Sequence, residues 1–381
     1  MPYSAGSPHI KPHWHPERLQ ARLPFLQRRS ELTAAVRAFL TGRGYTEVET
    51  PALVPAAGME VHLRGFASDY RPHLGVGEHT PLWLRTSPEM ALKRLLVAGA
   101  GPVFEFARVW RNGEASPHHA PEFTMLEWYA PAMSLAELMS ETEVMLRSVC
   151  PEQVEHNGVA CDLSLPFERI SVATAFSRHC RGMDILGTID ARTGEGSAAR
   201  LRQAATRAGL FVPMNDTWED GFFRLMLQFV EPKLGRGRAT FLTHWPTPQA
   251  ALSRRDPQDT RQALRFELFI AGMEMANAFD ELTDSAEQRA RFERDVAERQ
   301  RLVGERGWEV DEDFLNAIEY GLPATAGIAL GFDRLAMLVS GASDIEDVLW
   351  LPALPRQALA ALAAPPRMLE APPQLPDVAA E

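Results

Sequence analysis

Residues 103–130, near the middle of the chain, most constrain what this protein can fold into. The stretch runs VFEFARVWRNGEASPHHAPEFTMLEWYA, two aromatic and apolar segments joined by a polar loop. Phe104, Phe106 and Trp110 recur at every second position, with Arg108 between them, as in a half-buried strand. A hairpin normally turns in two to five residues, and a charged loop of about ten predicts ligand binding. A surface hairpin without a ligand is the alternative.

Composition excludes several classes of protein. The chain has 381 residues, 45% hydrophobic and 23% charged, as in soluble globular proteins. It contains no apolar run of about eighteen residues that would span a membrane, and its start lacks the apolar core of a signal peptide. Three cysteines without CxxC spacing predict neither a disulfide framework nor a zinc site, and they favour a cytoplasmic location. The net charge of −11 argues against broad nucleic-acid binding.

The chain is predicted to hold one large catalytic domain with short flanking segments. Pro24 suits the first position of a helix, which two glycines end before a short strand reaches Pro51. The predicted divisions are an irregular lead-in over 1–23, a domain over 24–354 with a peripheral, mainly helical portion at about 150–225, and a Pro- and Ala-rich tail over 355–381.

Two further stretches place polar residues at the ends of apolar elements. RFELFIAGMEMANAFDELTD predicts a strand leading into Glu274, Asn277 and Glu281, which are costly to bury unpaired. The two glutamates lie seven positions apart, so a bulge or bend is needed for them to act together. GIALGFDRLAML predicts a strand and a helix with Arg334 in its first turn. An arginine there is unfavourable unless an anion lies beside it, and a solvent-facing side chain is the alternative.

The familiar nucleotide motifs are absent. No Gly-Lys dipeptide, complete GxGxxG, HExxH or nucleophile elbow occurs. Two arginines, Arg111 and Arg334, with two glutamates suit a polyphosphate and Mg²⁺, because guanidinium groups hold phosphate oxygens and Mg²⁺ prefers oxygen ligands. Displacement at phosphorus requires mainly positioning and charge stabilisation.

These residues carry a resemblance to a known family. FARVWRNGEASPHHAPEFTMLEWY resembles motif 2 of class II aminoacyl-tRNA synthetases, GIALGFDRLAML resembles motif 3, and Pro24–Pro51 resembles the dimer-forming motif 1. RTSPEMALKRLLVAGAGPVFEFARVWRN and NAFDELTD are similar to the lysyl branch, in particular to paralogues that attach (R)-β-lysine to elongation factor P. The resemblance covers about residues 14–350. It implies an α+β fold with an antiparallel sheet core flanked by helices.

The resemblance also implies roles for individual residues. Arg111 and Arg334 would hold the α- and γ-phosphates of ATP, with Phe123 under the adenine. Glu274 and Glu281 would bind Mg²⁺ or the substrate ammonium, and Arg111, Glu274 and Arg334 would be catalytic. The implied ATP-binding residues are Arg111, Asn112, Gly113, His119, Phe123, Glu274, Met275, Gly331 and Arg334. The implied amino-acid-binding residues are Ser87, Pro88, Glu89, Tyr129, Asn277, Glu281 and Ala329.

Three positions distinguish this chain within the family pattern. Ala329 stands where lysyl-tRNA synthetases have glycine, which favours β-lysine over α-lysine by about 1–3 kcal/mol for one methyl group in a pocket. Gly113 replaces a family glutamate. Either Glu114 would substitute for that glutamate by a loop shift, or adenine would be recognised through the backbone alone. Ala120 replaces a family asparagine and removes one expected nucleotide contact.

The implied activity is a two-step ligation. A homodimer would activate (R)-β-lysine or lysine with ATP and Mg²⁺, then transfer it to a lysine of elongation factor P. Bacterial lysyl-tRNA synthetases carry an anticodon-reading OB-fold of roughly a hundred residues, whereas 23 residues precede Pro24, so no anticodon-mediated tRNA binding is expected. The alternatives are a truncated lysyl-tRNA synthetase, an amino-acid:ammonia ligase, or a non-catalytic lysine-binding paralogue. A non-catalytic paralogue would be expected to lack some of the phosphate and metal residues, and all four are present: Arg111, Arg334, Glu274 and Glu281.

Overall fold

The hairpin of residues 103–130 supplies two adjacent strands of an eight-stranded sheet. The computed structural model describes residues 11–58, 60–72, 79–303 and 308–354, so the predicted tail over 355–381 lies outside the described residues. The helices found within these ranges are α1 (Pro16–Gly42), α2 (Glu89–Val97), α3 (Leu135–Val149), α4 (Val172–His179), α5 (Ala198–Arg207), α6 (Trp218–Leu225), α7 (Ser285–Val303), α8 (Glu312–Gly321), α9 (Phe332–Ser340) and α10 (Ile345–Val348). The strands are β1 (Thr46–Glu47), β2 (Leu53–Val54), β3 (Phe66–Tyr70), β4 (Thr80–Leu84), β5 (Val103–Trp110), β6 (Glu122–Pro131), β7 (Gln153–His156), β8 (Val159–Asp162), β9 (Glu168–Ser171), β10 (Thr240–Pro246), β11 (Gln262–Ile270), β12 (Met273–Asp280) and β13 (Thr325–Gly331).

The main sheet has the order β1-β5-β6-β13-β12-β11-β10-β9. Its six central strands pair antiparallel; in spatial order they are β5, β6, β13, β12, β11 and β10. The pairs at the two edges, β1 with β5 and β9 with β10, are parallel. The predicted α+β fold with an antiparallel sheet core is confirmed.

Helices α1, α3 and α9 cover one face of this sheet. Leu32, Val36 and Leu40 of α1 recur every four residues, so they share one face of the helix, and they are buried together with Trp128 of β6. A capping box formed by Ser134 and Glu137 begins α3. None of the helices in the described ranges is both long and apolar enough to cross a lipid bilayer.

The predicted start of the first helix at Pro24 is wrong. Helix α1 begins at Pro16, where proline occupies the first helical position, and the His15 side chain accepts a hydrogen bond from the Glu17 amide. Pro24 therefore lies inside the helix, and part of the predicted irregular lead-in is helical. The arginines Arg22 and Arg29 on this helix are buried, which the apolar pattern alone did not predict.

A bulge interrupts the pairing of β11 with β12. Leu268 is opposite Ala276 and Phe269 is opposite Glu274, so Met275 is an extra residue on β12. The bulge reverses the alternation of side chains at that point. As a result, Glu274 and Asn277 lie on the same face of the sheet, which is the face opposite α1. The bulge therefore sets the face on which Glu274 lies, but it does not bring Glu274 to Glu281.

Residues 170–234 form a lobe with its own hydrophobic core at the β9 edge of the sheet, whereas β7 and β8 pack into the core under α1 through Val154 and Cys161. Helices α4, α5 and α6 were expected in this mainly helical portion, whereas β7, β8 and β9 were not. Each of these strands has four residues, too few for an alternating pattern to stand out in the sequence. Phe222 stacks against Phe176 and Trp218 in a hydrophobic cluster separate from the one under α1.

Candidate active site

A row of polar side chains crosses the face of the sheet opposite α1. Cross-strand partners point to the same face, and the register aligns one residue from each of five adjacent strands. In order they are Glu105, Glu127, Ala329, Asn277 and Glu267. The alanine in the middle leaves a gap between polar groups. Three carboxylates and an amide around that gap suit a cationic ligand.

Glu127 lies at one end of the gap and is fully buried. Ser87 Oγ donates to its Oε1 at 2.6 Å, and Tyr129 Oη donates to its Oε2 at 2.8 Å. Burial, with the neighbouring Glu89 charge, raises the pKa of Glu127 to about 8. Beyond it, Glu105 is already paired, because Arg85 Nη2 lies 2.7 Å from its Oε1. Of Glu105 and Glu127, Glu127 is therefore the carboxylate that is available to a cationic ligand.

The predicted amino-acid residues Glu89 and Glu281 meet at a buried lysine. Lys93 Nζ lies 2.5 Å from Glu89 Oε1 and 2.6 Å from Glu281 Oε2. Burial raises the pKa of Glu281 to about 8, although Lys93 acts in the opposite direction. Burial likewise raises the pKa of Glu89. The structure thus brings Ser87, Glu89, Tyr129 and Glu281 together around one acidic pocket.

A glycine in β13 makes room for this pocket. A Cβ at Gly327 would lie under 3.0 Å from both the Tyr129 ring and Glu281 Oε1. Both distances are far below van der Waals contact. Gly327 is therefore required by the packing of the two pocket residues against the sheet.

Asn277 and Glu267 form the other end of the row. Arg265 Nε donates to Asn277 Oδ1 at 2.9 Å, and its Nη2 donates to Glu267 Oε1 at 2.6 Å. The guanidinium carbon lies 4.3 Å from the Trp245 ring centroid, which fixes its orientation. Burial, followed by the charge of Glu274, raises the pKa of Glu267 to about 8. Glu267 and Glu274 are therefore close enough to repel each other.

The predicted metal pair, Glu274 and Glu281, is not brought together. Seven positions of extended chain separate the two carboxylates by on the order of 20 Å, and the partner of Glu281 is Lys93. Glu274 instead neighbours Glu267 and Glu231, whose pKa it helps to raise. Within the described ranges, no three or more His, Cys, Asp and Glu side chains are arranged to hold a metal by themselves.

Arg334 lies beside Glu274 at the start of α9. Its Nη1 donates to the Glu274 carbonyl oxygen at 2.8 Å, and its Nη2 lies 2.5 Å from His119 Nε2. Burial, together with the Arg334 charge, lowers the pKa of His119 to about 4. The neutral ring therefore accepts from Arg334 through Nε2 and donates through Nδ1 to Ser116 Oγ at 2.7 Å. The hairpin loop is thereby attached to Arg334.

Arg111 lies at the base of the same loop. Its guanidinium carbon is 5.3 Å from the centroid of the Phe123 ring, and Nη1 is 4.0 Å from Glu114. The Asn112 amide donates to the Arg64 carbonyl at 2.8 Å, and Gly113 has a φ of +87°, a left-handed conformation that suits glycine. Glu114 thus lies beside Arg111, the residue predicted to hold a phosphate of ATP. Its position does not assign it to adenine.

The remaining predicted residues differ in how they face the site. Pro88 caps the start of α2 and is buried. The Met275 side chain is 2% exposed in the hydrophobic core, so only its backbone can reach a nucleotide. Ala120 is also in that core. A Cβ at Gly331 would meet only Arg334 atoms at 3.5 Å or more, so the surrounding protein does not itself require glycine there.

Sequence reasoning missed Glu127, Glu267, Lys93 and Arg265. The row position of Glu127 and Glu267 depends on the register of five strands, which no local pattern specifies. Lys93 did have a signal, because it follows Glu89 by four residues, which is the spacing of an ion pair within a helix. Arg265 and Glu267 alternate along one strand and could have been paired in the same way.

Comparisons with known proteins place the chain in a family. Residues 15–355 match the model of class II tRNA synthetases (D, K and N). A protein of Klebsiella pneumoniae subsp. pneumoniae named elongation factor P–(R)-β-lysine ligase is 40% identical over 341 residues, covering 88% of this chain and 96% of that protein. A protein of the same name from Haemophilus influenzae is 38% identical over 339 residues with the same coverage, and one from Salmonella dublin is 39% identical over 341 residues.

Proposed function

The chain belongs to the class II tRNA synthetase family (D, K and N), and we propose that it ligates (R)-β-lysine or lysine to elongation factor P. In this reaction ATP first converts the amino acid into an adenylate. The ε-amine of a lysine of elongation factor P then takes over the aminoacyl group. The observation that carries the proposal is the acidic pocket beside two arginines on one face of the sheet, in a chain similar to three proteins that bear this ligase name.

The acidic pocket supports a diammonium amino acid as the substrate. Glu89, Glu127 and Glu281 converge, and among the residues that the structure describes Lys93 is their counter-charge. Their net charge is −2 when all three carboxylates are ionised, which matches two ammonium groups. Ala329 lies between this pocket and Asn277, so the amino-acid carboxylate would extend along the row towards the arginines.

The two arginines support ATP binding on the far side of the row. Arg111 and Arg334 are only partly buried. Arg111 lies at the start of the hairpin loop, and Arg334, on α9, contacts His119 near the end of that loop. Guanidinium groups form paired hydrogen bonds with phosphate oxygens. The Phe123 ring beside Arg111 offers an aromatic face for adenine. ATP would thus lie bent between Arg111 and Arg334.

The pair Glu267 and Glu274 fits a magnesium ion better than Glu274 and Glu281. Each carboxylate raises the energy of the other's charge, an effect that a divalent cation would relieve. Mg²⁺ is usually held by one or two carboxylates together with substrate phosphates, so a complete protein cage is not needed. When bound, the ion would supply positive charge to the phosphate oxygens.

Activation and transfer follow from this placement. The amino-acid carboxylate oxygen attacks the α-phosphorus, the bond from that phosphorus to the bridging oxygen breaks, and pyrophosphate leaves. Arg111 and Arg334 stabilise the charge that accumulates on phosphate oxygens. In the second step, the acceptor amine attacks the adenylate carbonyl and loses a proton, and AMP leaves. An amide bond then joins the amino acid to the acceptor protein.

Mass spectrometry of the acceptor tests the whole proposal. Purified elongation factor P incubated with the enzyme, ATP, Mg²⁺ and (R)-β-lysine should gain the mass of one lysyl group. Parallel reactions with α-lysine and (S)-β-lysine establish which isomer is used. Transfer to tRNA or ammonia with none to protein would instead favour the truncated synthetase or the ammonia ligase.

Amino-acid-dependent pyrophosphate exchange tests the phosphate arginines. Arg111→Ala and Arg334→Ala should each lower the exchange rate by on the order of 10³-fold, a loss typical of phosphate-stabilising arginines. Arg108→Ala, an exposed change on the same hairpin, serves as the control. Unaltered exchange in either variant would contradict the proposed ATP position.

The assembly and location belong to the same proposal. Because α1 and β1 correspond to the dimer-forming motif, the enzyme is proposed to be a homodimer, which sedimentation would show as twice the mass of one chain. The cytoplasm suits an enzyme that uses ATP and a translation factor. All three cysteines lie in the described part of the chain and are free thiols.

A further inference from the structure

Lys93 is a buried cation beside the acidic pocket. It lies one helical turn after Glu89 in α2, and 1% of its surface is exposed. Its Nζ bridges Glu89 Oε1 at 2.5 Å and Glu281 Oε2 at 2.6 Å. An ammonium group is costly to bury, and a carboxylate on each side offsets that cost. Lys93 therefore connects helix α2 to the end of β12.

We propose that Lys93 is a positioning residue that holds Glu89 and Glu281 in the geometry and charge state required by a diammonium substrate. The inference rests on the proposed function, because it assigns the two carboxylates to the amino-acid substrate. It adds a residue that would not touch the substrate. Lys93 would act entirely through the two glutamates.

The charges around Lys93 support this role. The groups that face it or its two partners are Glu89 and Lys93 on α2, Glu281 after β12, Glu127 and Tyr129 on β6, and Glu60 in the preceding loop. Lys93 is the cation among them. It lowers the pKa of both Glu89 and Glu281, against the effect of burial. Without it, the carboxylates would hold their protons to still higher pH and lose their attraction for ammonium groups.

The neighbouring arginine cannot replace this cation. Arg94 is engaged on the outer side of α2, where Nη2 lies 2.5 Å from Asp311 and Nε lies 2.9 Å from Asp313. Both acids belong to the start of α8. Lys93 and Arg94 thus serve different pairs of acids on opposite sides of one helix.

The pocket also retains an oxygen for a ligand. Oε2 of Glu281 forms the ion pair with Lys93, and neither Oε2 nor Oε1 has a hydrogen bond of regular geometry among the residues that the structure describes. Oε1 is the oxygen away from Lys93, and it is buried against Gly327. A buried carboxylate oxygen left unpaired is unfavourable, and a substrate ammonium group would satisfy it. Lys93 would hold Glu281 so that this oxygen points into the pocket.

Lys93→Met keeps the length of the side chain and removes its charge. In pyrophosphate exchange, the KM for (R)-β-lysine should rise by on the order of 100-fold, the scale expected when a buried ion pair loses one partner. The KM for ATP should change by less than roughly threefold, because the phosphate end is untouched. The exposed Lys233→Met serves as the matched control.

The pH profile separates charge from packing. In Lys93→Met, the fall in the KM for (R)-β-lysine with rising pH should lie at higher pH than in the unmodified enzyme, because the carboxylates must then ionise without their counter-charge. Added n-propylammonium should restore activity to Lys93→Ala, whereas n-propanol should not. Lys93→Gln, which keeps hydrogen bonds to both carboxylates, gives the same comparison if the methionine variant does not fold.

Two outcomes would overturn the inference. One is an unchanged KM for (R)-β-lysine in folded Lys93→Met and Lys93→Gln, and the other is equal rescue of Lys93→Ala by the amine and the alcohol. Failure of the proposed function gives a different result, namely no exchange by the unmodified enzyme with any lysine isomer. Calorimetric binding of (R)-β-lysine to the unmodified and variant proteins would then decide the role of Lys93.

Discussion

The ionisation of individual carboxylates should govern when the amino acid binds. Burial raises the pKa of both Glu127 and Glu281 to about 8 in the protein without substrate. At pH 6.5 both therefore carry protons, and binding of a diammonium substrate requires those protons to leave. The affinity for (R)-β-lysine should increase as pH rises from 6.5 to 8.5, and binding at pH 7 should release protons to the buffer.

Calorimetry in buffers of different ionisation enthalpy measures this proton release directly. Glu281→Gln, which cannot ionise, should bind (R)-β-lysine more weakly and release fewer protons. An affinity that is flat across this pH interval, with no dependence on the buffer, would rule out the linkage. Ammonium ions at the same concentration provide a control for general salt effects.

At the scale of elements, one buried ion pair joins α1, β6 and α9. Arg29 pairs with Asp333 and donates through Nη2 to Thr124 Oγ1 at 2.9 Å, while the Thr124 amide donates to Asp333 Oδ2 at 2.8 Å. Asp333→Asn leaves the Arg29 charge buried without a partner. It should lower the free energy of unfolding by about 3–5 kcal/mol.

A double-mutant cycle in denaturant unfolding checks this connection. Arg29→Met combined with Asp333→Asn should lose clearly less stability than the sum of the single changes, because neither charge then remains unpaired. Strictly additive losses would show that the two side chains do not interact. The exposed ion pair of Arg28 with Glu31, one residue earlier on the same helix, offers a control of about 0–1 kcal/mol.

The close packing of β13 against the pocket gives a second prediction for an element. Gly327→Ala would place a methyl group under 3.0 Å from both Tyr129 and Glu281, so both must move. Overpacking of this kind costs about 1–3 kcal/mol. Binding of (R)-β-lysine should weaken at the same time.

Gly42→Ala is the matched control for that change. Gly42 ends α1, and a Cβ there would meet no atom within 4 Å. Its thermal unfolding and its KM for (R)-β-lysine should remain close to those of the unmodified protein. If Gly327→Ala behaved like Gly42→Ala in both measurements, the packing described around Tyr129 would be incorrect.

At the scale of the whole molecule, two hydrophobic cores share the same strands. Strand β10 contributes Phe241 to the core under α1 and Leu242 to the core of the lobe, because successive side chains point to opposite faces. Phe222→Ala, at the centre of the lobe core, should destabilise the protein by about 3–5 kcal/mol. The loss should extend to the shared strands.

Hydrogen exchange followed by mass spectrometry tests this coupling. Peptides covering β10 and β11 should exchange faster in Phe222→Ala, whereas Phe211→Ala should have little effect because Phe211 is 79% exposed. Faster exchange confined to residues 172–234, with β10 and β11 unchanged, would show that the lobe unfolds by itself.

Local patterns in the sequence predicted much of this architecture. The central hairpin and the strand before Arg334 are formed by neighbouring residues, so the chain displays them directly. The proximity of the Glu267 and Glu274 carboxylates could not be predicted from the sequence, because it depends on strand register and on the bulge at Met275. The bridging position of Lys93 was hidden too, since its second partner, Glu281, is distant in the chain.

The edges of the sheet bear on how the protein behaves when concentrated. At one edge β1 has only two residues, and Glu47 is paired with Arg37 at 2.6 Å. At the other edge β9 has four residues, and Glu168 lies 3.0 Å from Arg178. Short, charged edge strands are poor templates for pairing with another chain. The eight-stranded sheet should therefore resist edge-to-edge aggregation, including during the time that newly made chains spend at high local density.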